Sequence, residues 1–569
     1  MAVFDHPQCT LKMHYDERGC AFMALGYGKA DARSAVDDCN TSSRKPAVWI
    51  TTSGTALANG FPAIVEADME SVPMILLTAD RPPELRDSDA NQTIRQDHIF
   101  GRTVRWFVDL PAPSDDIDPA MVLTTVDHAV LQAKTGPVHI NCMFREPLAP
   151  IEEPYSPMVS ERFSAWERSK TPFTTYCEPS SVHQSAVDML HQLFSASERP
   201  MVVLGRMGGK NDEVSEAVHQ ICRQYGAVSV VDVGSSHRLG IADKNAQHTV
   251  FGCDLMIGTN PPKGLAPDVV IQFGATPVSK RLNQFVAGAS IQTYCIVDDR
   301  NRRIDPSHKA SQRIMSKPEQ VLRAWAKTPH THFPDRPVHA DWVQKWQAVQ
   351  KGYISALGHL FSQDILTEQA AAHAVSRWLT SDYAIALGSS NPVRHMDSFA
   401  VHNGSAVCSL SNRGASGIDG TLASGVGFAI GHKKRPVIFL GDLALLHDLN
   451  SLPLCVAAKA VVVVINNDGG GIFSHLPVRA FEKSFEPLFG TPHGLRFEHA
   501  ARMFGMAYSR PTSVTELNDA LTMAHEQEHA FLIEVQTDRE SNRQEAERIK
   551  AMVEKTISTI FSDPHLHTH

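Results

Sequence analysis

Short apolar runs alternate with helical patterns along most of this chain, and this alternation constrains the fold more than any other feature. In the first part of the chain, strand patterns lie at Ala47–Ile50, Met74–Leu77 and Val138–Asn141, and an amphipathic helical pattern covers Met121–Ala133. Such alternation is typical of parallel β-sheets whose faces are covered by helices. We therefore predict an α/β fold with doubly wound parallel sheets.

Two proline-rich stretches divide this alternation into three blocks. The first stretch runs from Pro147 to about Pro179, and the second is Thr328–Pro337. We interpret both as linkers, which predicts domains at residues 1–150, 181–327 and 338–569. The charged segment Thr537–Phe561 is predicted to be helical, and the terminal H-L-H-T-H to be disordered. The strand patterns of the second and third blocks are Met201–Leu204, Val228–Val231, Val269–Phe273, Tyr294–Val297, Ala384–Leu387, Val437–Leu440, Ala460–Ile465 and Phe531–Val535.

Composition excludes several classes of protein. The chain has 569 residues, a formal net charge of −9 and ten cysteines without a C-x-x-C spacing. The acidic balance argues against a nucleic-acid partner, and the cysteine pattern fits free thiols in a reducing compartment. Since the sequence has neither a signal-peptide pattern nor an apolar run of membrane-spanning length, we expect a cytoplasmic protein without membrane insertion.

Two strand patterns in the third block end in residues suited to a metal ion. Gly441-Asp442-Leu443 follows one strand, and N-N-D-G-G-G (Asn466–Gly471) ends the next. Ligands of open parallel sheets lie at the carboxyl ends of strands. Carboxylate, amide and carbonyl oxygens suit Mg²⁺, and glycines let backbone N–H groups approach a phosphate. We predict a Mg²⁺–diphosphate site, with two ordinary Gly- and Asn-rich turns as the alternative.

One glutamate near the start of the chain is a second candidate. In K-M-H-Y-D-E-R-G-C (Lys12–Cys20), Glu17 is predicted at the end of a short strand, before a helix of small residues. A surface ion pair is the ordinary interpretation of such a residue. A buried carboxyl with a raised pKa, able to share a proton with a ligand, is the functional alternative.

Seven segments, taken together, carry a family resemblance. In chain order they closely resemble the 2-succinyl-5-enolpyruvyl-6-hydroxy-3-cyclohexene-1-carboxylate synthases, thiamin diphosphate (ThDP) enzymes of menaquinone biosynthesis. The resemblance spans nearly the whole chain and is weakest in the middle block. S-N-R-G-A-S-G-I-D-G and T-A-D-R-P-P-E-L are specific to this branch of the ThDP enzymes. The segments are Tyr15–Gly19, Thr52–Asn59, Leu76–Leu85, Ala90–Gln96, Ser411–Gly420, Gly441–Asn450 and Asn466–Phe473.

The resemblance implies a ThDP enzyme with pyrimidine-binding, middle and diphosphate-binding domains in that order. Such enzymes decarboxylate 2-oxoglutarate with ThDP and Mg²⁺, for which Mn²⁺ is an alternative, and add the succinyl unit to isochorismate. In this architecture the two halves of the cofactor site come from different subunits. Self-association to a dimer or tetramer is therefore expected, with Glu17 of one chain serving Asp442 of another.

The resemblance also assigns roles to individual residues. Glu17 would hydrogen-bond the pyrimidine ring, and Ile418 would be the apolar wedge that holds the cofactor bent. Because the two substrates carry several carboxylates, basic residues are expected around them: Arg394 for the succinyl group and Arg413 for isochorismate. The implied catalytic residues are Glu17, Arg394 and Arg413; the substrate-binding residues are Arg81, Gln92, Lys280, Ser390, Ile472 and Phe473; the cofactor-binding residues are Glu17, Ser390, Gly417, Ile418, Gly441, Asp442 and Leu443; and the metal ligands are Asp442, Asn467 and Gly469.

Two departures from the family pattern lead to further expectations. Only sixteen residues precede Glu17, so the first domain is expected to be N-terminally truncated and to lack its first strand–loop–helix unit, including a loop that grips isochorismate. Ser389 stands where the family usually has asparagine, and its shorter side chain favours a water-mediated contact.

Two alternatives to this function remain open. The chain could be another ThDP carboligase acting on 2-oxo acids, such as an acetolactate-synthase relative that uses pyruvate. It could also be a truncated chain with little turnover that binds cofactor or partner.

Overall fold

Three β-sheets with parallel strand pairing form the framework of the structure, a computed structural model. The first sheet has four strands in the order β1-β2-β4-β3, the second has the order β10-β9-β8-β5-β6-β7, and the third has the order β12-β11-β13-β14-β16-β15. The strands are β1 (Ala47–Thr51), β2 (Met74–Asp80), β3 (Phe107–Leu110), β4 (Val138–Met143), β5 (Pro200–Leu204), β6 (Val228–Val231), β7 (Thr249–Val250), β8 (Val269–Phe273), β9 (Thr293–Val297), β10 (Gln312–Ile314), β11 (Tyr383–Leu387), β12 (Cys408–Ser411), β13 (Arg435–Gly441), β14 (Val461–Asn466), β15 (Ala507–Ser509) and β16 (Phe531–Gln536).

Helices connect most of these strands, as expected for parallel sheets. Within residues 1–180 and 412–433, the described α-helices are Ala2–Asp5, Glu17–Lys29, Thr55–Asn59, Phe61–Glu70, Ala120–Ala133 and Thr421–His432. The remaining helices are Gln184–Ala196, Asn211–Tyr225, Cys253–Ile257, Lys280–Gly288, Pro318–Lys327, Ala340–Leu360, Glu368–Trp378, Asn391–Phe399, Asp442–His447, Leu452–Ala457, Glu482–Phe485, Glu498–Met503, Val514–Glu526 and Arg539–Ser562.

The structure describes most of the chain, namely residues 2–30, 45–114, 116–148, 160, 164, 166–169, 171–176, 182–207, 211–235, 237–240, 247–258, 261–262, 264–328, 340–401, 404–405 and 407–562. Most of both predicted linkers and the terminal H-L-H-T-H lie outside these residues. No helix in the described part is both long and apolar enough to cross a bilayer.

The chain forms two compact units whose boundaries interrupt the third sequence block. One unit comprises residues 1–180, 412–433 and 450–454, and it contains the first sheet. The other comprises residues 181–411, 434–449 and 455–569, and it contains the second and third sheets. The domain boundaries predicted from the linkers stay a prediction.

Helix packing in the first unit explains why a segment from late in the sequence belongs to it. The helices Glu17–Lys29 and Thr421–His432 cross at glycines: a Cβ at Gly26 would lie 2.0 Å from the Ser424 carbonyl oxygen, and one at Gly427 would lie 1.9 Å from that of Met23. Only glycine permits so close an approach of two backbones.

The predicted apolar runs are strands in the structure, and all except β1 lie in the interior of their sheets. In the third sheet, β14 is buried at every position, and β11 is also buried throughout. The strands β3, β7, β10, β12 and β15 were not predicted. They are short and lie at sheet edges, where one side of a strand has no neighbour and a continuous apolar run is not required.

One predicted strand is wrong. Glu17 does not end a strand but begins the helix Glu17–Lys29. The preceding Asp16 caps this helix, because its side chain accepts hydrogen bonds from the backbone N–H groups of Arg18 and Gly19. The residues before it, including Leu11 and Met13, are exposed and pair with no sheet strand among the described residues. An Asp side chain at this position favours a helix N-terminus over a continued strand.

The order of the third sheet determines where a ligand can bind. The chain proceeds from β11 outward to β12, returns to β13 on the other side of β11, and continues to β14. The direction of winding therefore changes between β11 and β13. Crevices at the carboxyl ends of strands beside such a switch point are the usual binding sites of doubly wound sheets.

Candidate functional site

Asp442 lies at this switch point, directly after β13 and at the first position of the helix Asp442–His447. It is 2% exposed. Its Oδ1 accepts a hydrogen bond from the Leu443 N–H at 2.7 Å, and its Oδ2 accepts one from the Gly469 N–H at 2.9 Å. Burial raises the pKa of Asp442, and these hydrogen bonds oppose the rise. The carboxylate is therefore held in one orientation at the end of its strand.

Asn467 lies beside Asp442 because β13 and β14 are neighbours, with Gly441 paired to Ile465. Its Nδ2 donates to Oε1 of the buried Glu368 at 2.8 Å. Its Oδ1 is buried and has no hydrogen-bond partner among the described residues. A buried amide oxygen without a partner is costly, and a hard cation is one group that would satisfy it. The donor set therefore fits Mg²⁺.

Asp468 points elsewhere. Its Oδ1 accepts hydrogen bonds from the backbone N–H groups of His493 and Gly494 at 2.9 and 2.7 Å. It thereby anchors the loop that brings the His493 ring to Asp442, with Nε2 3.2 Å from Oδ2. Since Nδ1 of His493 accepts from the Leu495 N–H, Nε2 carries the proton and donates to Asp442. The geometry supports Asn467 rather than Asp468 as the metal ligand.

The glycines of this turn have a role different from the predicted one. Gly469 has φ 128°, and a Cβ there would lie 2.0 Å from the Gly490 carbonyl oxygen. The N–H of Gly470 donates to that same carbonyl, and the N–H of Gly469 to Asp442. These donors bind protein acceptors, so the prediction that they face a phosphate is wrong for this structure. Gly441 is different, because no described atom lies within 4 Å of a Cβ added there, which leaves room for a bound group.

A cavity of about 960 Å³ opens in the same unit. Arg394, on the helix Asn391–Phe399, extends into it, as do Ser474 and His475 from the turn that also carries Ile472 and Phe473. Among the described residues, the Arg394 guanidinium donates to the Ser390 carbonyl. By contrast, the other lining arginines pair with lining carboxylates: Arg281 with Asp254, Arg479 and Arg543 with Glu540, and Arg539 with Glu486. Arg394 is thus the lining arginine best suited to a ligand carboxylate.

Ser390 joins β11 to the Arg394 helix in an unusual conformation. Its φ is 73° and its ψ is −134°, a region that non-glycine residues rarely adopt and that occurs at functional sites. Ser389 beside it is buried. The turn at the end of β11 is therefore a strained part of this edge of the sheet.

Arg281 was missed by the sequence analysis, which chose its neighbour Lys280. Ser279 caps the helix Lys280–Gly288, and Lys280 at its first position is exposed. Arg281 instead lines the cavity. Which of two adjacent cations faces a cavity depends on the rotation of the helix, which the sequence motif did not reveal.

Glu17 is half-buried in the other unit, rather than fully buried as expected. Asp16, the residue before Glu17, caps the Glu17 helix. Its Oδ2 accepts a hydrogen bond at 3.1 Å from Nδ2 of Asn450, the last residue of G-D-L-A-L-L-H-D-L-N. Hydrogen bonds from Asn450, Gly19 and Arg18 lower the pKa of Asp16, although burial opposes them. Two segments far apart in sequence thus meet at the start of the Glu17 helix.

The segment with Arg413, Gly417 and Ile418 is anchored in the same unit by a buried ion pair. Glu66 accepts the Lys29 ammonium at 2.8 Å and the backbone N–H groups of Gly414 and Ala415 at 3.0 and 2.6 Å. Lys29 also donates to the Asn412 side chain at 2.9 Å. Its side chain and that of Glu66 are 8% and 3% exposed. Arg413, Gly417 and Ile418 are themselves half-buried.

Gln92 and Arg81 lie on the first sheet's carboxyl edge. Gln92 is exposed, has φ 58°, and donates to the Ser53 carbonyl at 2.9 Å. Gln96 is the buried member of the same motif: it accepts from the Gly54 N–H and donates to Asn141. Arg81 is half-buried. The motif therefore has one exposed glutamine at this edge and one buried glutamine that holds the turn.

Comparison with known families agrees with this arrangement. Three thiamine pyrophosphate enzyme domains match: the N-terminal TPP binding domain at residues 1–99, the "middle domain of thiamine pyrophosphate" at 158–386, and the C-terminal TPP binding domain at 405–535. These matches define the chain as a ThDP-dependent enzyme.

Full-length relatives narrow the class. Proteins named 2-succinyl-5-enolpyruvyl-6-hydroxy-3-cyclohexene-1-carboxylate synthase are 40% identical in Salinibacter ruber (98% of this chain, 92% of the relative) and 43% identical in Rubrobacter xylanophilus (95% and 91%). One from Chlorobium limicola is 35% identical over 95% of this chain and 90% of its own. The chain belongs to this synthase family, as the sequence motifs predicted.

Proposed function

We propose that the chain catalyses the ThDP- and Mg²⁺-dependent decarboxylation of 2-oxoglutarate and joins the succinyl unit to isochorismate. The product would be 2-succinyl-5-enolpyruvyl-6-hydroxy-3-cyclohexene-1-carboxylate, an intermediate of menaquinone biosynthesis in the cytoplasm. The carrying observation is the pair of Asp442 and Asn467, whose buried side chains follow the carboxyl ends of the neighbouring strands β13 and β14. The names of the relatives support the choice of product.

The cofactor would be held mainly by the third sheet. Asp442, Asn467 and the Gly469 carbonyl would hold Mg²⁺, while Gly441 and Leu443 would lie beside the diphosphate. When bound, ThDP supplies the electron sink that decarboxylation of a 2-oxo acid requires. The protein's contribution is to orient hard oxygens before the metal arrives, since the strand register fixes the positions of both residues and hydrogen bonds orient their side chains.

The substrate carboxylates would be bound by cations. Arg394 would receive the distal carboxylate of 2-oxoglutarate, with Ser390 at the base of the same helix and Ile472 and Phe473 on the opposing turn. A guanidinium binds a carboxylate through two parallel hydrogen bonds. We assign isochorismate to four further residues: Arg81, Gln92, Lys280 and Arg413.

The pyrimidine half of the cofactor would lie against Glu17, Gly417 and Ile418. Glu17 would accept or share a proton with the ring nitrogen, and the apolar Ile418 would support the cofactor from the other side. We further propose that these residues and Asp442 belong to different subunits, so that the active enzyme is a dimer or tetramer. Light scattering of the purified chain tests this: an active monomer would contradict it.

The first experiment compares wild-type protein with Glu17→Gln in CO2 release from 2-oxoglutarate, with ThDP and Mg²⁺ saturating. We expect a loss of about 100-fold or more, within the usual contribution of a general acid–base group. Glu84→Gln, an exposed acid in the same unit, serves as control and should retain full activity. Equal rates for wild-type and Glu17→Gln would remove Glu17 from the mechanism.

A second experiment separates the alternatives. Consumption of 2-oxoglutarate and of pyruvate is measured with and without isochorismate. We expect 2-oxoglutarate to be preferred, because Arg394 lines the cavity and forms no ion pair with a lining carboxylate among the described residues. Preference for pyruvate would indicate another ThDP carboligase, and no turnover despite bound ThDP would indicate a chain that binds without catalysis.

A further inference from the structure

Glu368 is a buried carboxylate in the unit that contains the third sheet, and the proposed reaction gives it no role. It is 1% exposed and begins the helix Glu368–Trp378, after the capping residue Thr367. Its Oε1 accepts the Asn467 Nδ2 at 2.8 Å and the Thr537 hydroxyl at 3.3 Å. Its Oε2 lies 3.5 Å from Nδ1 of His395, a residue that lines the cavity beside Arg394.

The position of Glu368 determines which end of the Asn467 amide is exposed to a ligand. An amide has a donor end and an acceptor end of nearly equal shape, and only its surroundings choose between the two orientations. A carboxylate accepts hydrogen bonds, so it attracts the NH2 end. The oxygen is thereby turned away from Glu368, and this is the oxygen that is buried without a partner among the described residues.

We propose that Glu368 is a positioning residue, which orients the Asn467 amide so that its oxygen, and not its NH2 group, faces the metal ion. This inference rests on the proposed function, since it takes Asn467 as a metal ligand. Residues that hydrogen-bond metal ligands orient them in this way in many metal sites. Through His395, the same carboxylate also contacts the helix that carries Arg394.

A merely structural role is a poor explanation for this carboxylate. Removing a carboxylate from water is costly, and Glu368 is 1% exposed. An apolar residue would fill the site without that cost. The group is retained where it contacts a candidate metal ligand on one side and a cavity-lining residue on the other.

The test measures Mg²⁺ affinity of the full-length protein by calorimetry, with saturating ThDP and no substrate. Glu368→Leu should bind Mg²⁺ about tenfold or more weakly, the usual effect of losing such a contact. Glu368→Gln keeps an acceptor oxygen for Asn467 and should remain within about threefold of wild type. Thr537→Val removes the other, longer contact to the same carboxylate and serves as the matched control.

Three results would overturn the inference: wild-type affinity in Glu368→Leu, equal losses in Glu368→Gln and Glu368→Leu, or a larger loss in Thr537→Val than in Glu368→Leu. If Glu368→Leu does not fold, Glu368→Met, another apolar side chain without an acceptor oxygen, replaces it and should also bind Mg²⁺ about tenfold or more weakly than wild type; wild-type affinity in that variant would overturn the inference. Absence of Mg²⁺ and ThDP binding in the wild type would instead refute the proposed function itself.

Discussion

The two candidate half-sites are held in place by different means. In the metal half-site, Asp442 and Asn467 are buried, and adjacent strands fix their separation. In the half-site with Glu17 and Arg413, the candidate residues are half-buried and lie on segments joined by helix packing and by side-chain contacts, including those of Glu66. Each description applies within its own compact unit.

This difference affects how each half-site should respond to mutation. Many backbone hydrogen bonds together maintain the register of the strands. One side-chain substitution in the metal half-site should therefore alter the metal ligands without moving the sheet. The Arg413 segment lies outside any strand, and the side chain of Glu66 reaches it from 348 residues away in sequence. Loss of the Glu66 contacts should therefore disturb the segment itself.

The largest expected effect is a loss of stability in the half-site with Glu17 and Arg413. Lys29→Met should lower the free energy of unfolding of its unit by about 3–5 kcal/mol, because it leaves the Glu66 carboxylate buried without its cation. Urea unfolding measures this. The double variant K29M/E66Q should recover part of the loss, since no unpaired charge remains. Equal stability of Lys29→Met and wild type would show that the ion pair does not hold the segment.

The metal half-site should lose function with little loss of stability. Asp442→Asn replaces a charged oxygen by an amide and should weaken Mg²⁺ binding by about 100-fold, or about 3 kcal/mol. Asp468→Asn, one residue from Asn467, is the matched control and should stay within about threefold. A larger effect at position 468 than at 442 would reverse the assignment of ligands.

The stability of the first-sheet unit is expected to depend on pH through a buried histidine. Burial lowers the pKa of His139 to about 4, below its ordinary value of about 6.5. The unfolded chain then binds a proton more readily between these values, so stability is fully present above about pH 6.5 and falls as the pH drops towards 4. Lowering the pH from 7 to 5 should cost about 2 kcal/mol.

The check on this pH effect is urea unfolding of His139→Gln at both pH values. The variant should lose most of that pH dependence, whatever its stability at pH 7. His128→Gln, at a half-buried histidine of the same unit, should keep the dependence. An unchanged slope in His139→Gln would assign the acid sensitivity to other groups.

The smallest effect is expected at the start of the Glu17 helix. Asn450→Ala removes one hydrogen bond to Asp16, at 3.1 Å and partly exposed, and should lower stability by about 0.5–1 kcal/mol. Asp16→Ala, which removes the helix cap itself, should cost about 1 kcal/mol. If Asn450→Ala proved the more damaging, the contact would matter for more than capping.

Prediction from sequence succeeded where local pattern and structure coincide. The apolar runs of β11, β13 and β14 were predicted because buried central strands must be apolar on both faces. The placement of Asp442 beside Asn467 followed, since neighbouring parallel strands end at the same edge. The motifs also identified the family. The strand predicted before Glu17 failed because Asp16 acts as a helix cap, and edge strands such as β12 carry no strong pattern.

The sequence by itself therefore determined the α/β class, most of the interior strands, the neighbouring positions of Asp442 and Asn467 and the family, because hydrophobic periodicity and strand-end motifs are local. Only the tertiary structure decided that Glu66 and Lys29 anchor the Arg413 segment, that Arg281 rather than Lys280 faces the cavity, and that Glu368 contacts Asn467. These contacts join residues 37 to 349 positions apart or depend on the rotation of a helix. Packing selects them among many polar side chains, and no short pattern records that choice.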